Sequence, residues 1–217
     1  MPKQKSDGNC YLCGTSAGKT VMKNHILKEH ANNGNEECLL LKIEGAYARE
    51  YWLFLDIAMD KDLSALDTFL RKIWLECCGH LSKFSVGKSR KIGSLAVGNQ
   101  ILHEYDYGTT TESLITVIAE TRRSKQREAV RLLARNAPIV FPCAACGEPA
   151  EFLCQECPYD SNAVFCKICA EKHKQKSGHE MMLPITNSPR SGECGYCGEF
   201  DVFAFDPSLC YGRNDKK

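Results

Sequence analysis

The residues in this sequence whose types and spacing could do chemistry are its cysteine pairs and the histidines that follow them. Five Cys-x2-Cys pairs occur in 217 residues: Cys10/Cys13, Cys143/Cys146, Cys154/Cys157, Cys166/Cys169 and Cys194/Cys197. Eleven residues after the first pair comes His25-x4-His30. This nearly matches the Cys-Cys-His-His finger, in which a knuckle offers two thiolates and a short helix, here from about Lys19, offers two imidazoles to a tetrahedral zinc. A polar segment of about 30 residues has no other way to build a core.

The second constellation is denser. Seven residues separate Cys146 from Cys154, eight separate Cys157 from Cys166, and three residues after Cys169 comes His173-x5-His179. Eight such ligands suffice for two tetrahedral zincs, and with no carboxylate among them the sites read as closed and structural. The pattern resembles the B-box family of zinc modules, and more loosely other cross-brace modules such as RING. That resemblance implies that Cys143, Cys146, Cys166 and Cys169 share one zinc, and that Cys154, Cys157, His173 and His179 share the other. Spacing alone leaves the sequential pairing, first four then last four, open. Cys194 and Cys197 are candidates for a further metal site with Cys210 and one more group, or for a bare turn. Cys77 and Cys78, next to His80, read as small buried hydrophobes, because adjacent side chains in a regular element point to different faces. Three zincs per chain are therefore expected.

Other candidate chemistry is weaker. Gly14-Thr15-Ser16-Ala17-Gly18-Lys19-Thr20 is one residue short of a phosphate-binding loop and lies between zinc ligands, not after a strand. In the finger, the helix positions that would meet bases are Gly18, Val21 and Asn24, of which only Asn24 suits a specific base contact; Lys19, Lys23 and Lys28 could reach phosphates. His103, Glu104 and Asp106 could form an acid–base or metal edge, but in a strand His103 and Glu104 face opposite ways. Glu76 and His80 share a helical spacing that a helix end also explains. Arg122, Arg123, Lys125, Arg127, Arg131 and Arg135 form a basic run that could neutralise phosphates or be a solvated linker strand. No interleaved aromatics support single-strand stacking. No catalytic or organic-cofactor residues are assigned.

The elements that must position these groups divide the chain in three: a finger over residues 1–33, a central domain over 36–137, and a cysteine-rich domain over 138–217. In the centre, 51–57 reads as a strand. Leu63, Leu66, Leu70, Ile73, Trp74 and Cys77 mark one helix face, with Ser64 and Asp67 as a capping box and Gly79 as its stop. Strands follow at 81–86, 101–107 and 112–119, the last two joined by a turn at 108–111. The expected class is α+β, a small antiparallel sheet with a helix between two zinc-bearing ends. Net charge of +1 creates no field that demands a polyanionic partner. The N-terminal residues hold no apolar secretory segment, and no stretch nears the ~18 apolar residues of a membrane span. A reducing, cytoplasmic setting is expected, where clustered cysteines hold metal more often than they form disulfides.

Three strings then stand out: residues 69–84 (FLRKIWLECCGHLSKF), 103–108 (HEYDYG) and 183–190 (LPITNSPR). Together they resemble the plasmid pRi ORF-three-like family, also labelled insertion-element passenger or "TnpR" proteins, over roughly residues 40 to 200. Where the family more often has Tyr-Asp-Phe-Gly, this chain has Tyr105-Asp106-Tyr107-Gly108. The resemblance implies a small α+β domain, a prokaryotic source and no assigned activity. A serine nucleophile with clustered catalytic arginines is not found, so a resolvase activity is not carried over. The leading expectation is a non-enzymatic zinc-binding interaction or adaptor protein with a protein partner. The alternatives are a nucleic-acid-binding accessory of a mobile element or defence system, using Arg122 to Arg135 and the finger lysines, and an enzyme with a site near His103, Glu104 and Asp106.

Overall fold

The structure, a computed structural model, describes residues 6–158, 163–198, 203–207 and 210. Its centre is one eight-stranded antiparallel sheet. The strands are β1 (Asp7–Cys10), β2 (Ser16–Gly18), β3 (Glu36–Gly45), β4 (Trp52–Ala58), β5 (Ser82–Phe84), β6 (Gln100–Tyr105), β7 (Thr111–Arg123) and β8 (Val130–Asn136), in the spatial order β2-β1-β8-β4-β3-β7-β6-β5. The α+β class holds, with more sheet and less helix than the sequence suggests.

Alternation along the two central strands explains the layering. Leu39, Leu41 and Ile43 on β3 and Leu53, Leu55 and Ile57 on β4 face one side of the sheet. There they meet helix α2 (Leu63–Leu70), the wide π-helical turn Arg71–Leu75 that continues it, and Trp74. Leu40 on β3 and Trp52 and Phe54 on β4 face the other side and meet Met22 and Ile26 of helix α1 (Lys19–Glu29). Both faces of β4 are thus covered, and every one of its residues is buried. Full burial of side chains such as Met22 and Ile26 contributes about 1.5–3 kcal/mol each.

The finger is therefore not a detached unit ending at residue 33. β1 pairs with β8 through Gly8↔Asn136, Asn9↔Arg135 and Cys10↔Ala134, so the finger hairpin lengthens the central sheet. A Cβ at Gly8 would lie 2.2 Å from the Arg135 carbonyl oxygen and 2.5 Å from the Trp52 ring, which is why only glycine fits at that crossing.

The helix start and stop also differ from expectation. Asp62, not Ser64, caps α2, accepting from the Ser64 N–H at 3.1 Å. Asp67 points into a buried polar cluster, accepting from Ser82 Oγ at 2.7 Å and lying 2.8 Å from His103 Nε2. The helical run ends at Leu75, where the Glu76 N–H bonds the Arg71 carbonyl, and Gly79 with φ +77° sits in the bend beyond it. The expected hairpin is present: β6 and β7 pair from Gln100↔Thr116 to Tyr105↔Thr111.

A second, three-stranded sheet, in the order β10 (Val164–Phe165), β9 (Phe152–Cys154), β11 (Met182–Pro184), packs with α3 (Lys167–Ser177). Past it the chain returns to the central domain. Ser188 Oγ donates to the Trp74 carbonyl at 2.6 Å, and Asn187 exchanges side-chain bonds with Asn136. Residues 187–190 thus pack with the centre. No helix among the described residues is long and apolar enough to cross a membrane.

Candidate metal centres

Four groups of cysteine and histidine bring their ligand atoms within 4.8 Å of one another. Around a zinc with Zn–S of about 2.3 Å, tetrahedral geometry sets S···S edges near 3.8 Å and S···N edges a little shorter. A disulfide would bring the sulfurs to about 2.05 Å. None of the fourteen cysteines, all within the described residues, forms one.

The first group is the finger. β1 ends at Cys10, and the turn to β2 carries Cys13. The Gly14 N–H bonds the Cys10 carbonyl at 2.8 Å, with Gly14 at φ +78°. α1 supplies His25, and His30 caps its end, so both imidazoles reach the knuckle. Cys13 Sγ lies 3.1 Å from His25 Nε2, and His25 Nε2 lies 3.2 Å from His30 Nε2. Burial pushes the Cys10 thiol up to about 11.

The C-terminal module answers the pairing question. Cys143, Cys146, Cys166 and Cys169 form one group; Cys154, Cys157, His173 and His179 form the other. This is the cross-brace arrangement, and the sequential alternative is excluded. Helix α3 makes it possible, because Cys166 at its N-cap and Cys169 in its first turn serve one group while His173, a turn later, serves the other. Gly178 with φ +74° then ends α3 and turns His179 back toward the second group. Cys146 Sγ and Cys166 Sγ are 3.7 Å apart. Cys157 Sγ is 3.4 Å from His173 Nε2, and Cys154 Sγ is 3.4 Å from His179 Nδ1.

The backbone around the thiol group favours negative charge on one of its sulfurs. Burial opposes the Cys143 thiolate, but the N–H groups of Cys166, Ala145 and Cys146 more than offset this and bring the thiol down to about 6. Hydrogen bonding with Cys146 and Cys166 pushes the Cys169 thiol up to about 12. Collecting several thiolates around one point is costly unless a divalent ion sits among them, and coordination then deprotonates each thiol outright.

The fourth group was not legible as a site. It joins Cys77, Cys78 and His80 to Cys194. The reading of Cys77 and Cys78 as buried hydrophobes is overturned: Cys77 is half-buried and Cys78 exposed. They lie in the bend after the π-turn, outside any regular element, so the rule that neighbours diverge does not apply to them. Cys194 belongs to this group, while Cys197 and Cys210 belong to none of the four groups among the described residues.

The remaining candidates are dispersed. His103 is fully buried, with Nε2 on Asp67, while Glu104 pairs with Lys83 at 2.8 Å on the other face. Asp106 leaves the strand in a left-handed conformation (φ 65°) and accepts from Arg190 at 2.7 Å. The three do not converge on one cavity wall. Glu76 accepts from Arg71 at 2.7 Å and does not meet His80. Half of the basic run is absorbed into the fold, and half is exposed. Arg123, 1% exposed, bridges Asp56 and Glu36; Arg131 donates to Asp56 at 3.0 Å; Arg135 donates to the Asn187 carbonyl; Arg122 pairs with Glu37. Lys125 and Arg127 are exposed. In the finger, Lys19 pairs with buried Glu44 and donates to the Arg49 carbonyl, which removes it from any phosphate-facing surface, whereas Val21 and Asn24 are exposed.

No family model matches the chain, and no curated protein matches it. Among solved structures it is similar to a protein of unknown function, MM3350, from Methanosarcina mazei Go1, at 15% identity and a TM-score of 0.41, over 46% of this chain and 70% of that one. A likeness of that degree carries no functional argument.

Proposed function

We propose that this protein is a non-enzymatic, zinc-stabilised interaction protein in which zinc replaces an apolar core at both ends of the chain. The observation that carries the reading is that the finger and both groups of the C-terminal module are complete. Each offers four thiolate or imidazole ligands, so a bound zinc would have no open position for a water or substrate. The absence of disulfides among fourteen cysteines fits a reducing compartment such as the cytoplasm. The central domain is proposed as a member of the plasmid pRi ORF-three-like family, on the three strings at 69–84, 103–108 and 183–190, and the C-terminal module as B-box-like. The partner is proposed to be a protein, because Arg123, Arg131 and Arg135 are tied to Asp56, Glu36 and a backbone carbonyl, which leaves Arg122, Lys125 and Arg127 as the exposed cations of the run.

The test is elemental zinc on the freshly purified full chain and on two variants. Cys10→Ser is expected to remove one zinc, and Cys166→Ser at least one more from the module. Zinc absent from the wild type, or present in amounts that neither substitution changes, overturns the reading. Retention on a nucleic-acid matrix that falls steeply with salt would favour the accessory-protein alternative.

A further inference from the structure

We propose that Cys77, Cys78, His80 and Cys194 form a further metal centre, taking a zinc-class divalent ion, that fastens residues 187–194 onto the central domain. It is independent of the finger and the C-terminal module, since it shares no ligand with either.

The sulfur–sulfur distances are those of a coordination shell. Cys77 Sγ and Cys78 Sγ are 3.7 Å apart, and Cys78 Sγ and Cys194 Sγ are 3.8 Å apart. These match the ~3.8 Å edges of a zinc tetrahedron. His80 Nε2 lies 2.8 Å from Cys78 Sγ and 3.2 Å from Cys194 Sγ. Three sulfurs and one imidazole nitrogen suit a borderline-soft ion such as zinc, not magnesium or calcium, which prefer oxygen.

The backbone supports the same conclusion. At two of the knuckles the second cysteine is followed by a glycine in the left-handed region: Gly14 after Cys13, at φ +78°, and Gly147 after Cys146, at φ +80°. In the new centre Gly79 follows Cys78 at φ +77° and Gly195 follows Cys194 at φ +69°, so both thiols sit directly before a tight turn. Cys194 itself has φ 47°, a conformation that residues with a Cβ adopt only when the surroundings hold them there. A metal bond to its sulfur would supply that restraint.

A buried ion pair, Arg190 with Asp106, adjoins the group, with the guanidinium turned toward a sulfur. A divalent ion with three thiolates and a neutral imidazole carries one net negative charge. The guanidinium of Arg190, fully buried, lies with Nη2 3.5 Å from Cys77 Sγ. Arg190 also donates to Asp106 Oδ2 at 2.7 Å and to the Thr109 carbonyl and Thr111 Oγ1, each at 3.0 Å, so it is held in place by the β6–β7 turn. His80 Nε2 is 3.4 Å from the same Asp106 carboxylate. Arg190 and Cys194 belong to one short segment, while Cys77, Cys78 and His80 follow the π-turn more than a hundred residues earlier in the chain. The ion would therefore be a cross-link between distant parts of the sequence.

This centre also differs from the other three in access. Each of those contains a buried cysteine (Cys10, Cys143 or Cys154), whereas Cys78 and Cys194 are exposed and neither Cys77 nor His80 is buried. Its ion is the one a chelator should reach first.

The test uses the full chain, with zinc counted by elemental analysis and backbone protection read by hydrogen exchange. The wild type is expected to hold four zincs, and Cys194→Ser three. In that variant, exchange at residues 187–194 should rise severalfold while β3 and β4 remain unchanged. Cys78→Ser, also at an exposed position, should reproduce both effects and guards against a folding defect peculiar to one substitution. With cobalt in place of zinc, either substitution should lower the thiolate-to-cobalt charge-transfer absorption. During titration with a weak chelator, one equivalent should leave before the others. A count that falls with Cys10→Ser and Cys166→Ser but not with Cys194→Ser overturns this centre and leaves the structural-zinc reading standing. A fourth zinc lost without any change in exchange at 187–194 overturns the fastening role.

Discussion

The central domain and the C-terminal module reach order by different means. The centre has a continuous apolar core in which Leu41, Leu55, Leu70, Trp74 and Ile115 are fully buried between sheet and α2. Among the described residues, the module's own cluster buries Cys143, Cys154, Phe165 and Ala170, and two of those are candidate ligands. Small units cannot bury enough surface to offset chain entropy, so coordination has to supply the missing free energy. The finger lies between these extremes. It has a candidate metal group, yet Met22 and Ile26 also share a cluster with Trp52 and Phe54 of the sheet.

Removing metal from the whole protein should break this comparison most sharply. A strong chelator is expected to unfold residues 143–184, where the loss is of order 10 kcal/mol for a structural zinc. Strands β3, β4 and β7 should keep slow hydrogen exchange, and α1 should lose less protection than α3. Equal loss in all three regions would mean that the apolar core does not stand alone. Trp74→Ala attacks the other side of the comparison. It should cost about 3–5 kcal/mol in urea titration of the central domain while leaving the module's zinc content unchanged.

A smaller effect is expected at the polar cluster beneath α2. Asp67 accepts from Ser82, from Lys88 at 2.9 Å and from Arg71 at 3.1 Å, and contacts His103. Burial opposes its ionisation, but the bonds from His103, Ser82 and Lys88 outweigh that and hold the carboxyl well below its ordinary range. Asp67→Asn should cost about 2 kcal/mol at neutral pH. Because the folded-state pKa is depressed, that stabilisation is present above the ordinary carboxylate value of about 4 and declines as pH falls below it. The gap between wild type and Asp67→Asn, measured by urea titration from pH 7 to pH 3, should therefore narrow toward acid. The smallest effect belongs to the exposed Arg122–Glu37 pair, 3.3 Å apart, where Arg122→Ala should change stability by less than about 0.5 kcal/mol.

Much of the metal chemistry was legible because knuckles are local. Cys10-x2-Cys13, Cys143-x2-Cys146 and their counterparts place two thiolates close together through a single turn, and histidines on a short helix come within reach a few residues later. The β6–β7 hairpin was legible for the same reason, since Gly108-Thr109-Thr110-Thr111 is a local turn signal. Cys77 and Cys78 escaped because a regular helix would point them apart, whereas the π-turn at Arg71–Leu75 ends the helix early and leaves both thiols in a bend. Asp67 was read as part of a cap because its pairing with His103 and Ser82 depends on strands that lie far along the chain.

Short-range spacing and periodicity were enough for the ligand types, the finger's group of four, the set of eight ligands in the module and the α+β class. Only the tertiary structure decided that the finger hairpin joins the central sheet through β1 and β8, that the module's pairs cross instead of running in order, and that Cys194 meets Cys77, Cys78 and His80. Each depends on bringing together segments that the spacing of residues leaves unconnected. Burial of apolar surface on both faces of β4 holds the finger against the sheet, α3 carries ligands of both module groups, and Arg190 inserted under the β6–β7 turn brings Cys194 to the central domain.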